Sequence, residues 1–212
     1  GTVMPLDAGQ RTQIDLGQPP QPVTGAERDL LANGSFRDTL SEGWRVFNDQ
    51  GTDGGNVDGR VETVVDEGRP AVRFVRNGGQ GNHCETVLEQ TINRQLSEPI
   101  TSLKVRAWVK VRYQSLSGGG YLSSEYPLMI RIQYRDAYDS ETEWIQGFYY
   151  QNVAGTPTTY GQEIPRDRWY PFESENLLDK LSIKPYKIIS VRVYASGWDY
   201  DSLISDVHLV VE

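Results

Sequence analysis

The segment from Leu103 to Arg112 alternates strictly between small apolar side chains and basic or aromatic ones. Successive side chains of a β-strand point to opposite faces, so this period of two predicts a strand with one face in a hydrophobic core. The core face carries Leu103, Val105, Ala107, Val109 and Val111. The other face carries Lys104, Arg106, Trp108, Lys110 and Arg112. A large aromatic ring is therefore predicted on an outward basic row, either wet or covered by a ligand.

Short strand-like runs continue along the chain from Leu30 onward, separated by clusters of Gly, Asn, Asp and Pro. Such runs at regular spacing predict an all-β fold, an antiparallel β-sandwich. The clearest runs are Trp44–Asn48, Val61–Val65, Ala71–Arg76, Thr86–Ile92, Leu103–Tyr113, Leu128–Arg135, Trp144–Tyr150, Trp169–Glu173, Ile188–Ala195 and Leu203–Val211. Leu177–Leu181 is expected to form a short helical turn.

The length of 212 residues fits a single large β-sandwich. The run from Gly17 to Pro22 is rich in Pro and Gln and favours an extended linker. We therefore expect a boundary near residue 25. Residues 1–25 are interpreted as a linker or the tail of an upstream domain, and residues 26–212 as a β-sandwich binding domain.

The charge and the scarce chemistry-bearing residues exclude several functions. A net charge of −8 and an isoelectric point near 4.9 disfavour nucleic acid as a partner, since its binding depends on Lys and Arg. No apolar run approaches the roughly 20 residues of a membrane span, so this fragment is not expected to insert into a membrane. With one cysteine and two histidines, catalysis and thiolate metal sites have few candidate residues.

The same alternation gives two further strands a polar face that bears arginine. Leu128–Arg135 places Arg131 and Gln133 opposite its core residues, and Ile189–Ala195 places Arg192 and Tyr194 opposite Ile189, Val191, Val193 and Ala195. If the three strands are neighbours in one sheet, they form a single patch of hydrogen-bond donors beside aromatic rings, a surface suited to sugars. The predicted ligand residues are Arg106, Trp108, Arg131, Gln133, Arg192 and Tyr194. The basic residues hint weakly at acidic glycans.

An ordinary solvated sheet face is the alternative interpretation of this pattern. Lys and Arg side chains would then lie over Trp108 and pair with nearby carboxylates. Sequence alone leaves both interpretations open.

Several motifs, in order, resemble those of galactose-binding-like jelly-roll domains, a group that includes many carbohydrate-binding modules. The opening Leu30–Phe36 followed by Gly43-Trp44 resembles the family's Asn-Gly-x-Phe and Trp strand. Leu88–Ile92 resembles its Gln-x-Ile strand, and Ile204–Leu209 resembles its final Asp-Val-x-Leu strand. The resemblance covers Leu30 to Glu212 and implies a jelly-roll β-sandwich.

The resemblance also implies a structural calcium ion that ties the first strand to the last, at Asn33 and Asp206. Arg37 departs from the pattern, because the family usually has an acidic residue at that position. Upstream, Val3–Ile14 resembles the last strands of FecR-like domains, which occur in extracytoplasmic signalling proteins; a plain linker is the alternative.

Three functions follow from these observations. The first is a non-catalytic carbohydrate-binding-module-like domain of an exported or cell-surface protein, with a glycan or polysaccharide and other domains of the parent chain as partners. The second is a protein-interaction or sensory ectodomain of a surface signalling protein. The third is a glycoside-cleaving enzyme, which would need a pair of carboxylates such as those in or near the predicted loops. The acidic candidates are Glu125, Glu141, Glu143 and Glu163.

Overall fold

The computed structural model describes residues 27–52, 55–96 and 100–212. Its strands are β1 (Arg28–Asp29), β2 (Arg45–Asp49), β3 (Arg60–Asp66), β4 (Arg69–Arg76), β5 (Cys84–Gln95), β6 (Leu103–Gln114), β7 (Leu128–Arg135), β8 (Glu141–Tyr149), β9 (Gly161–Glu163), β10 (Tyr170–Glu173), β11 (Lys187–Gly197) and β12 (Tyr200–Val211). A short helix, α1 (Leu177–Lys180), precedes β11. The predicted linker or tail, residues 1–25, lies outside the described residues.

These strands form two six-stranded sheets, which we name sheet I and sheet II. Sheet I has the order β10-β6-β12-β4-β3, with β1 paired to β12, and sheet II has the order β2-β5-β11-β7-β8-β9. Every pairing is antiparallel except that between β8 and β9. The predicted all-β sandwich is confirmed. All ten predicted strands are present, whereas the short strands β1 and β9 were not predicted.

One hydrophobic cluster fills the space between the sheets. Both sheets contribute alternate residues to it, for example Leu103, Val105 and Val109 of β6 with Ile130 and Ile132 of β7. All five are nearly inaccessible to solvent. The predicted core face of the 103–111 segment is therefore confirmed.

A bulge in β11 corrects one prediction of a core residue. The register shifts between Ile188 and Ser190. Ile188 consequently lies in the core in place of Ile189, which is only partly buried. The following residues, Val191 and Val193, keep their predicted inward positions.

A loop crosses the outer face of sheet II and is held there by one aromatic ring. Tyr126 is fully buried although it belongs to the connection between β6 and β7. Its ring lies so close to three glycines that an added Cβ at Gly119, Gly147 or Gly161 would stand 2.2–2.4 Å from it. Its hydroxyl hydrogen-bonds the Ser123 hydroxyl at 2.6 Å.

Within the described residues, no helix is long and apolar enough to span a membrane.

We predict that Gly147→Ala destabilises the fold by roughly 1–3 kcal/mol, because the new methyl group overlaps the Tyr126 ring in a packed site. Chemical denaturation measures the free energy of unfolding. In a Tyr126→Ala background the same substitution should cost much less, since the overlapping ring is gone. Equal costs in the two backgrounds would contradict this packing.

Candidate functional site

The structure divides the six predicted ligand residues between two sheets. Arg106 and Trp108 lie on β6 of sheet I, whereas the others lie on β7 and β11 of sheet II. The prediction of one continuous patch is therefore wrong. Only the residues on the two adjacent strands of sheet II are brought together: Arg131, Gln133, Arg192 and Tyr194.

Trp108 points outward from sheet I, as its strand position predicts. It is partly exposed, while its neighbours Ala107 and Val109 belong to the core. The guanidinium group of Arg69 lies over the indole, 3.8 Å from the ring centroid. Together with Arg106 and His208, the indole lines a shallow depression of about 320 Å³. A cation thus already occupies the place where a stacked ligand would lie.

Carboxylates compensate the basic row beside Trp108. Arg106 pairs with Glu27 and with Glu173, both at 2.8 Å, and these hydrogen bonds raise the pKa of its guanidinium. Lys110 pairs with Asp66 at 2.8 Å. The outer face of sheet I therefore corresponds to the alternative interpretation, in which stems and ion pairs cover the strand.

The outer face of sheet II, which we name the sheet II face, carries an apolar row across five strands. Neighbours in this row are cross-strand partners, in the order Phe47, Val87, Tyr194, Met129 and Gly147. The middle three are buried although they point away from the main core, because Tyr126 and Tyr149 pack against them. Burial also raises the pKa of the Tyr194 hydroxyl. Tyr194 is therefore a packing residue beneath the loop and does not lie on the exposed part of the sheet II face.

Next to the apolar row lies a row that we name the charged row. Its members are again cross-strand partners: Arg45, Glu89, Arg192 and Arg131, followed by Ile145 on β8. Glu89 bridges Arg45 at 3.2 Å and Arg192 at 2.9 Å. Arg192 also contacts Glu85 at 3.4 Å, and Arg131 contacts Glu143 at 3.4 Å. These ion pairs hold planar polar groups at fixed positions on adjacent strands.

A third row continues the pattern and is named the amide row. It consists of Ser190, Gln133 and Glu143, which are cross-strand partners on β11, β7 and β8. The Ser190 hydroxyl donates to the Gln133 side-chain oxygen at 3.3 Å, and the Gln133 amide donates to the Glu141 carboxylate. Donors and acceptors therefore alternate across this part of the sheet II face.

Sequence reasoning missed the contribution of β2 and β5. Phe47, Glu85 and Glu89 lie on the same face as Arg192, and two guanidinium groups lie over the Phe47 ring at 4.5 and 5.3 Å. Burial raises the pKa of the Glu85 carboxyl, opposed by Arg192. Alternation around Leu88 could have placed Glu89 outward, but nothing local shows that β5 is the neighbour of β11.

Three of the four carboxylates proposed for an enzyme contact a basic side chain. Glu125 hydrogen-bonds His83 at 2.7 Å, Glu141 pairs with Arg135 at 3.3 Å, and Glu143 pairs with Arg131. Glu163 lies exposed on β9. Three of the four carboxyl groups are therefore held by other side chains of the protein.

The two residues proposed for calcium are committed to protein partners. The Asn33 amide donates to the carbonyls of Asp38 and Thr39 at 3.2 and 3.1 Å, and its oxygen accepts from the Asp38 amide at 3.3 Å. Asp206 pairs with Arg69 at 3.5 Å. In the described part of the chain no cluster of three or more His, Cys, Asp or Glu side chains could hold a metal ion. These side chains do not fit a calcium site, and the calcium ion stays a prediction.

Comparison with known proteins found similar solved structures but no similar sequence family. No family model matches the chain. No curated protein matches it. Among solved structures, TmCBM61 in complex with beta-1,4-galactotriose is 16% identical, with a TM-score of 0.44, over 86% of this chain and 97% of the other. A family 11 carbohydrate-binding module of Clostridium thermocellum is 11% identical, with a TM-score of 0.47, over 87% and 94%. The mannan-recognising module TmCBM27 is 13% identical, with a TM-score of 0.42, over 89% and 96%.

These values assign neither family nor ligand to the chain. Any assignment of function must therefore come from its own side chains.

We predict a pH-dependent stability from His208, which lies near Trp108. Its ring hydrogen-bonds Asp29 at 2.7 Å, and this contact raises the pKa of His208 above the usual 6.5. The stabilisation is fully present below about pH 6.5 and is lost as pH rises through the raised pKa. Because the pair is partly exposed, it should be worth at most about 1 kcal/mol, or about 2–4 °C.

Thermal unfolding from pH 5 to pH 9 checks this, with His208→Gln as the comparison. The difference in melting temperature between wild type and variant should shrink as pH rises. A difference that is the same at every pH would contradict the prediction.

Proposed function

We propose that this chain is a non-catalytic carbohydrate-binding domain whose glycan lies on the sheet II face. The observation that carries the proposal is the pair of adjacent polar rows. Arg192 and Arg131 are cross-strand partners, and so are Ser190 and Gln133. Planar polar groups at fixed strand spacing match a ligand that presents hydroxyl groups at regular intervals.

Rigidity supports the proposal as well. The charged row is held by ion pairs between its own members, including the shared carboxylate of Glu89. Ordering long side chains before a ligand arrives reduces the entropy lost on binding.

Arg131 is the residue that favours the sheet II face over the outer face of sheet I, because Phe47 and Arg192 are engaged much as Trp108 and Arg106 are. On sheet I the indole of Trp108 is covered by Arg69, and Arg106 is engaged by two carboxylates. On the sheet II face, Arg131 has one ion-pair contact among the described residues, at 3.4 Å. Its remaining N–H groups can serve a ligand.

We predict that Arg131→Ala weakens glycan binding about tenfold or more, since a hydrogen bond to a charged group is worth about 1.5–3 kcal/mol. A polysaccharide array identifies the ligand, and titration calorimetry gives Kd for wild type and variant. Trp108→Ala is the matched control on the opposite sheet and should leave Kd unchanged. Both measurements are made with calcium and with a chelator, which tests the calcium prediction separately.

Two outcomes would contradict the proposal. Absence of binding to every polysaccharide on the array removes the function, and loss of binding in Trp108→Ala alone moves the site to sheet I. Release of new reducing ends from a bound polysaccharide would replace binding by catalysis.

A protein-interaction or sensory role is the second candidate. Two loops joined by hydrogen bonds, such as Gly118 to Gln151 at 2.9 Å, expose several large apolar side chains. These are Tyr121, Leu122, Val153 and Tyr160. A fixed, exposed apolar surface is typical of protein contacts. This role would be favoured if no polysaccharide on the array binds and if Tyr121→Ser abolishes binding of a protein partner.

An exported or cell-surface location belongs to the same proposal. It is supported by the resemblance of Val3–Ile14 to FecR-like domains and by the extracytoplasmic setting that a polysaccharide ligand implies. Fractionation of the source cells tests it, and recovery of the protein in the cytoplasm would contradict it.

A further inference from the structure

The charges of the sheet II face are balanced at its centre. Three guanidinium groups, those of Arg45, Arg131 and Arg192, lie in the charged row. Each has a carboxylate within 3.4 Å, supplied by Glu89 or Glu143, and Arg192 has Glu85 in addition. The arginines that alternation places outward therefore do not create a basic surface.

These arginine–carboxylate pairs determine whether the face can bind hydroxyl oxygens or carboxylate and sulfate oxygens of a ligand. A hydroxyl group both donates and accepts hydrogen bonds, so it can lie between a guanidinium and a carboxylate. A carboxylate or sulfate group only accepts, and it needs a cation that is not already engaged. On the sheet II face such a group meets the carboxylates of Glu85 and Glu89, which are partly buried and weakly screened by salt, and the exposed carboxylate of Glu143.

The net negative charge of the whole chain also disfavours ligands that carry carboxylate or sulfate groups. The net charge of −8 repels polyanions before contact. Beyond the centre of the face, Arg135 is likewise paired, with Asp139 at 2.9 Å and Glu141 at 3.3 Å.

We infer that the sheet II face selects uncharged glycans and excludes glycans that carry carboxylate or sulfate groups. This inference rests on the proposed function and names the ligand class of that same face. It replaces the expectation of acidic glycans that the basic residues alone suggest. Glu89 and Glu143 are the selecting residues, because each supplies the negative charge that compensates an arginine.

Affinity electrophoresis through matched polymers tests the inference. The pairs are polygalacturonate with its fully methyl-esterified form, and carboxymethylcellulose with hydroxyethylcellulose, because each pair keeps a backbone and changes its charge. The wild type should be retarded at least about tenfold more strongly by the uncharged member of a pair that binds. Raising the salt concentration should change this retardation little, as expected where charge neutralisation does not drive binding.

A charge-removing variant identifies the residues responsible. Glu143→Gln frees Arg131 and should raise, several-fold, the ratio of retardation by a charged polymer to retardation by its uncharged partner. Glu173→Gln makes the same charge change on sheet I and is the control. It should leave both retardations unchanged.

The outcomes separate the two proposals. Stronger retardation of the wild type by charged polymers, falling with salt, overturns the selection but leaves glycan binding standing. An equal gain in both variants also overturns it, since a general charge effect would then explain the result. Retardation by none of the polymers, with an empty polysaccharide array, removes the proposed function and this inference with it.

Discussion

The structure depends on one buried hydrophobic cluster between the two sheets. Sheet I contributes residues such as Leu103, Val105 and Val109, and sheet II contributes residues such as Ile130, Ile132 and Val193. Apolar burial is the main favourable term in folding, so each long strand must turn one of its two faces toward this layer. The opposite faces are then left outside, whatever residues they carry. The arginine rows of both sheets are consequences of this constraint, and so is the separation between them.

The two outer faces use their charges differently. On sheet I, Arg106 pairs with its cross-strand partner Glu173, but Lys110 reaches Asp66 on a strand that is not its neighbour, and Arg69 covers Trp108. On sheet II, the carboxylates and guanidinium groups belong to adjacent strands and lie in register, as Glu89 and Arg192 do. The sheet II arrangement extends over several strands, so that donors and acceptors follow one another from strand to strand.

Local sequence was sufficient for the strands and for the direction of most side chains. The outward positions of Trp108 and Arg131 follow from alternation alone, since side-chain direction is a property of one strand. The identity of a strand's neighbours does not follow from its own sequence, because β6 lies beside β10 and β12, which are distant in sequence. The predicted patch failed at that step. The bulge that moves Ile188 into the core is equally non-local, since pairing with both β5 and β7 shifts there.

Tyr194 shows a second limit of alternation. Its outward position is as predicted, yet the ring is buried because Tyr126 and Tyr149 pack beside it. Outward and exposed are therefore different properties wherever a loop lies over a sheet. No pattern within β11 reports the path of a loop that begins after β6.

The attachment of that loop depends on one ring and on the missing side chains of Gly119, Gly147 and Gly161. The exposed residues Tyr121 and Leu122 can consequently change in composition while the anchor stays intact, whereas Ser123 holds the ring through its hydroxyl. Side chains of different size at these two positions change the outer surface of the loop without altering any strand. Sequence change in this loop is then concentrated in a few solvent-facing positions, and the framework is spared.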